Sequence, residues 1–438
     1  MAMLLGLFIL FGIIQVFTGS RATYRLTDAQ TRVQETGRYA TIILARELRM
    51  ARSMGCRSLG LDQYEGTLNV RACSLMTGTG CSGGNSILTE RPLGISGPPA
   101  ANWLADLPGT NSTGARGAVK KRHVRGDVLV TWGVVGDGLN TQSNMLTAAR
   151  TEPIKVLANL ADVRAAGFPL NKAGLLALIS DCDRTDVFAI SEKIDATTAA
   201  AGANEAETAA AAAAAAADAA GITSLKHEAG AVNKDGTLSW AYNWPGDEMA
   251  TGRTYRARVF PFDYKVFFIC CVDQATGLAE DTAGGVANCA STDANISKQF
   301  RPSLCRYSAS DNETESLVLD IADLRATYDG WQDGAMRAGL EGSPEVTNPH
   351  VRLSSLTAVP DAGWINDASR RYWDRVDTIR IQLLAASAEE IPTPQPRPYT
   401  SSTDTQVLGQ GIPADRRLYQ DFGFVIADRA LSTWSSRE

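Results

Sequence analysis

The sequence predicts an α+β protein: a long N-terminal transmembrane and amphipathic helix packed on an antiparallel β-sheet globular domain. Three observations predict it. Residues 1–17, MAMLLGLFILFGIIQVF, are apolar on every face, which suits lipid or a helical bundle. Residues 18–53 continue without proline and carry apolar and small residues at helical spacing. After Gly55 the pattern changes to short strand-like runs separated by Gly, Pro, Asn and Asp, with few regular strand–helix alternations.

The first half of the helix, residues 1–17, would span about 25 Å, slightly short of a hydrocarbon core of about 30 Å. No positive charge precedes it and no small-residue cleavage site follows Phe17, so it does not read as a cleavable signal peptide. In the second half, Leu26, Ala29, Val33, Gly37, Ala40, Ile43 with Leu44, and Leu48 form one stripe. These residues are expected to pack on the chain's own globular domain. Arg21, Arg25, Asp28, Arg32, Glu35 and Arg38 occupy the other faces, where neighbouring helices of an assembly could meet them.

The remainder, residues 54–438, reads as a head domain. Strands are expected at Asp127–Val134, Asp186–Ile190, Thr254–Phe260, Tyr264–Val272, Ser316–Leu319, Val376–Leu384 and Asp421–Ile426. Residues 196–220 are an alanine-rich, low-complexity insert without a large apolar face, expected to form a surface excursion or linker. The formal net charge of −6 argues against general nucleic-acid binding, which usually shows as a basic domain.

Eight cysteines lie after the apolar run: Cys56, Cys73, Cys81, Cys182, Cys270, Cys271, Cys289 and Cys305. There is no C-x-x-C pair, and the three histidines lie far apart in sequence, so disulfides in an oxidising compartment are expected rather than a metal site. Cys73 and Cys81 are close enough to close one small loop. Cys270 and Cys271 fall on opposite faces of a strand and are expected to take different partners, with Cys289 and Cys305 the nearest. That leaves Cys56 for Cys182.

Motifs with chemical meaning are few. GTGCSG (Gly78–Gly83) matches G-x-G-x-x-G but lacks the strand–helix setting of a dinucleotide site, and reads as a disulfide-pinned loop. Asp181, Asp183 and Asp186 could offer oxygens to calcium, but lack the EF-hand glycine and glutamate. Lys120, Lys121 and Arg122, within a basic cluster ending at Arg125, could contact a phosphate backbone; a solvated loop is the plainer reading. No catalytic motif, cofactor site or small-molecule substrate is expected.

The segment QVFTGSRATYRLTDAQTRVQETGRYATIILARELRMARSMGC (Gln15–Cys56) resembles the PilW family of type IV pilus minor pilins. GDVLVTWG (Gly126–Gly133), ISDCDRTDVFAI (Ile179–Ile190), RPSLCRYS (Arg301–Ser308), LVLDIADLRATYDG (Leu317–Gly330), VDTIRIQLLAAS (Val376–Ser387) and RRLYQDFGFVIADRAL (Arg416–Leu431) are similar to that family's landmarks, in its order. The resemblance implies a pilin-like fold and a non-enzymatic subunit that helps prime pilus assembly in a tip complex. Implied partners are other minor pilins, the major pilin, a tip adhesin and inner-membrane lipid. Implied placement is a single pass of the inner membrane with a periplasmic head, then the pilus tip. Family members begin with a basic leader, a glycine and a phenylalanine-led stretch containing a glutamate; Met1–Gly6 matches the middle of that stretch, so an upstream start is expected. Two alternatives are a type II secretion pseudopilin and a DNA-binding module using the basic cluster.

Overall fold

The computed structural model describes residues 2–51, 53–55, 68–76, 81, 107–110, 112–142, 151–170, 172–181, 184–194, 221–239, 242, 257–280, 288–289, 294–331, 350–352, 376–391 and 417–427. The alanine-rich insert, Cys56 and Cys182 lie outside these residues.

Helix α1 runs unbroken over Ala2–Arg49, about 72 Å at 1.5 Å per residue. The proline-free sequence permits that length. Arg46 and Arg49 in its last turn complement the negative end of the helix dipole. Strand β1 (Leu68–Val70), helix α2 (Gly114–Arg122), β2 (Arg125–Val134), β3 (Leu139–Asn140) and β4 (Ile154–Val156) follow. Then come α3 (Leu160–Ala165), β5 (Leu175–Ser180), β6 (Thr185–Ile190), β7 (Thr223–Leu225) and β8 (Arg258–Asp273). The chain continues through α4 (Ala294–Gln299), β9 (Phe300–Ser308), β10 (Glu313–Leu319), β11 (Ile321–Trp331), β12 (His350–Arg352), β13 (Val376–Glu390) and β14 (Arg417–Ala427).

The largest sheet has the order β1-β6-β5-β8-β9-β10, with β2 and β3 also paired to β8. A second sheet has the order β12-β11-β13-β14, and β4 pairs with β7. Strand β8 organises the large sheet. Its start pairs with β3 and β5 and its later part with β2 and β9. The change of partners falls at Pro261, whose missing N–H cannot serve a continuous ladder. What reads in sequence as two strands, Thr254–Phe260 and Tyr264–Val272, is therefore one strand whose pairing switches.

Side chains along β8 alternate between two cores, as a two-residue period requires. Phe262, Tyr264, Val266, Phe268 and Cys270 enter one core with Trp132 and α2. Phe267 and Ile269 face the other way, into the core that receives α1. There Val33, Ala40, Leu44 and Leu48 pack with Leu129, Leu304, Leu324, Ile381, Leu383 and Ile426. The C-terminal half of α1 thus lies between the two sheets. A third core gathers around Phe168, Phe188 and Tyr242.

Two expectations are corrected. The α+β class, with a transmembrane and amphipathic helix on an antiparallel sheet, gives way to a strand-dominated chain. Among the described residues strands make up 43%, in a curled mixed sheet. The mixing comes from β1, which runs parallel to β6. The sequence reading missed β5, β9 and β11, because buried strands lack clean alternation and Pro302 interrupts β9. Second, no helix among the described residues is long and apolar enough to cross a membrane. The expected single pass of the inner membrane is therefore overturned. Most of α1 is amphipathic rather than apolar: Thr18, Ser20, Arg21 and Arg25 follow Phe17.

Candidate functional site

The largest exposed apolar surface among the described residues lies along α1, whose two halves differ sharply. Val33, Ala40 and Leu44 are at most 1% exposed. Leu26, Ala29 and Ile43, from the same stripe, are half-buried. Toward the N-terminus, Met3 is 92% exposed and Val16 74%, and Leu7, Leu10, Phe11, Ile13, Ile14 and Phe17 are exposed with them. Single exposed apolar residues need no explanation, whereas a continuous rod of them marks an interaction surface.

Polar groups on this rod are turned inward. Thr18 donates its hydroxyl to the Ile14 carbonyl at 2.9 Å. Thr23, Thr27 and Thr31 donate to the carbonyls of Gly19, Thr23 and Thr27, each at 3.0 Å. Hydroxyls consumed in this way leave methyl groups to face outward.

The buried half is fixed to the head at two points. Lys265 Nζ donates to Glu47 Oε2 at 2.7 Å, and Arg306 lies 3.3 Å from Glu47 Oε1 while also pairing with Glu315. A Cβ at Gly37 would overlap the Phe422 ring, so glycine lets β14 approach the helix. Beside this junction a groove of about 650 Å³ opens between Glu35, Thr36 and Tyr39 of α1 and Ser316–Asp320 at the edge of the large sheet. Arg301 on its wall is tied to Asp320, with Nε donating to Oδ1 at 2.6 Å. Burial lowers the Arg301 pKa to about 10, with Arg417 pushing the same way.

Among the described residues, three disulfides staple the head: Cys73–Cys81, Cys270–Cys305 and Cys271–Cys289. The adjacent Cys270 and Cys271 take separate partners because they face opposite sides of β8. The expected Cys56–Cys182 bridge lies outside the described residues, as does most of GTGCSG apart from Cys81.

The structure disperses the basic cluster. Lys120, Lys121 and Arg122 sit in the last turn of α2, where they complement the helix dipole. Lys120 and Lys121 are exposed, but Arg122 reaches Thr314 and Arg125 donates to the Cys289 carbonyl. His123 is buried and meets the Gly126 carbonyl at 3.0 Å. Burial lowers its pKa to about 4, so it is neutral at pH 7.

Asp181 and Asp186 do not converge on a cation. Asp181 caps its own turn by accepting from Arg184 N–H. Asp186 accepts from Ser239 Oγ and Tyr242 Oη, each at 2.7 Å, and Asp183 lies outside the described residues. Burial raises the Asp186 pKa against the opposing pull of those hydroxyls and of Arg71. No group of ligands able to hold a metal is found among the described residues.

Sequence reasoning missed a buried ionic junction between the two sheets. Arg325 of β11 bridges Asp127 of β2 and Asp323, at 3.3 and 3.4 Å. Gly126, with φ +76°, leaves room for it, since a Cβ there would press on Asp323 and the Leu324 carbonyl. Asp127 and Arg325 lie 198 positions apart, and no local pattern announces such a pair. Comparisons with protein-family models, with curated proteins and with solved structures find no match.

Proposed function

We propose that this chain is a non-enzymatic structural subunit, a minor pilin that helps prime type IV pilus assembly together with other minor pilins. The observation that supports this reading most is the asymmetry of α1. One half is built into the head between two sheets, and the other stands out as an apolar rod. Such a rod needs cover, and helices of neighbouring subunits supply it through close packing of apolar and methyl surfaces. The Glu47 and Gly37 contacts hold the head to the helix, so that helix packing also places the head. The order of motifs from Gln15 to Leu431 supports the family assignment. Partners on this reading are other minor pilins, the major pilin and an adhesin.

The test is capture of the full, oxidised chain, tagged at its C-terminus, from cells producing the whole set of pilus subunits. Recovery of other minor pilins, identified by mass spectrometry, is the expected result. Recovery of the chain without any pilin would overturn the reading.

A further inference from the structure

A second property of α1 does not depend on a filament. Arg21, Arg25, Asp28, Arg32, Glu35 and Tyr39 are all exposed and are spaced 4-3-4-3-4, so they lie on one helical seam. Asp28 and Arg32 pair along the helix at 3.0 Å. Arg21, Arg25 and Glu35 make no ion pair among the described residues. The order of signs along the seam is complementary to its own reverse.

We propose that the chain also associates with a second copy of itself, as an antiparallel pair of α1 helices centred near Gln30. In that arrangement Arg25 faces Glu35 of the other copy and Asp28 faces its Arg32, and both relations repeat by the two-fold symmetry. Arg21 faces Tyr39, a cation over an aromatic ring. Like charges oppose each other nowhere between residues 21 and 39. The register is defined: sliding one copy by a turn in one direction brings Asp28 onto Asp28, and in the other Arg32 onto Arg32. Such repulsion is how charged seams set register and orientation. The interface is isologous and closes at two copies.

The groove beside Glu35 and Tyr39 has a place in this pairing. It opens where Arg21 and Arg25 of the second copy arrive, and Glu35 on its wall matches their charge, while Asp320 is already paired with Arg301. Further out, Thr18 with its outward methyl meets the exposed Ile42. The ion pairs supply orientation; apolar contact at the two ends supplies most of the affinity.

Sedimentation velocity on the full oxidised chain in mild detergent, over a range of concentrations, tests the pairing. A monomer–dimer equilibrium is expected. Glu35→Arg or Arg25→Glu alone should weaken it at least about tenfold, since each places two like-charged contacts in the dimer. The combined Arg25→Glu/Glu35→Arg chain should recover it. Orientation is read by a spin label at Thr18→Cys, with the chain lacking that cysteine as blank. Antiparallel pairing places the labelled positions about 37 Å apart, from 24 residues of rise and one helix diameter. A parallel pair joined by the same Arg25–Glu35 contact would place them about 18 Å apart. A monomer at every concentration, the shorter distance, or indifference to Glu35→Arg would each overturn the proposal. A monomeric chain that still captures other minor pilins would leave the proposed function standing.

Discussion

Phe422 of β14 lays its ring against the bare Cα of Gly37, and this contact brings the second sheet onto α1. The helix stripe is otherwise filled by Val33, Ala40 and Leu44. A glycine inside a helix costs about 1 kcal/mol relative to alanine; here the close approach of an aromatic ring offsets it. Gly37→Val should therefore destabilise the head by about 1–3 kcal/mol through overpacking. Phe422→Leu in the same chain should restore part of the loss. Urea midpoints of the two variants check this, and equal loss with and without Phe422→Leu would refute the contact's role.

Glu47 draws Lys265 and Arg306 to the helix from neighbouring strands. All three are mostly shielded from solvent, so removing the carboxylate leaves two cations poorly matched. Glu47→Ala should cost about 1–3 kcal/mol. Glu47 keeps one cation when either partner is removed, so Lys265→Ala and Arg306→Ala should each cost less than Glu47→Ala. Chemical denaturation of the three variants ranks them.

His123 gives the head an acid-sensitive element. Its pKa is lowered from 6.5 to about 4 by burial, so the folded state resists a proton that the unfolded chain accepts. The contribution is fully present above pH 6.5 and is lost as pH falls toward 4, on the order of 3 kcal/mol in all. In His123→Gln the stability-versus-pH curve should be flatter in that window. Asp186 acts oppositely, because its raised pKa favours the protonated folded form as pH falls. Denaturation midpoints at intervals between pH 7 and pH 4 separate the two; an unchanged slope in His123→Gln would refute the assignment.

The Cys271–Cys289 bridge spans 18 positions. Closing a loop of that size stabilises by about 3 kcal/mol in the chain-entropy account. Cys271→Ser/Cys289→Ser should lower the melting temperature of the oxidised head without altering its far-ultraviolet circular dichroism. An unchanged melting temperature would show that the bridge does not support the native head.

The sequence made α1 legible because the 3.6-residue period repeats over several turns, and Val33, Ala40, Leu44 and Leu48 are where that period places them. Opposite facing of Cys270 and Cys271 was equally readable, since a strand alternates by two. The unity of β8 was hidden by Pro261, which reads as a break but marks a change of partners. The expected membrane span rested on the apolar composition of residues 1–17, whereas most of α1 is amphipathic. His123 looked like part of a solvated basic cluster, and only the packing of α2 on the large sheet turns it inward. The Asp127–Arg325–Asp323 junction joins strands distant in sequence, so nothing local could reveal it.

The central claim is that the exposed apolar half of α1 joins this chain to other pilins. The most direct test is capture of pilus subunits by full chains carrying Leu10→Asp and Ile14→Asp together, compared with the unsubstituted chain. Both residues are exposed, so the melting temperature of the head should not change. The account predicts that capture of other minor pilins falls at least about tenfold while the head stays folded. Undiminished capture by the substituted chain would contradict it.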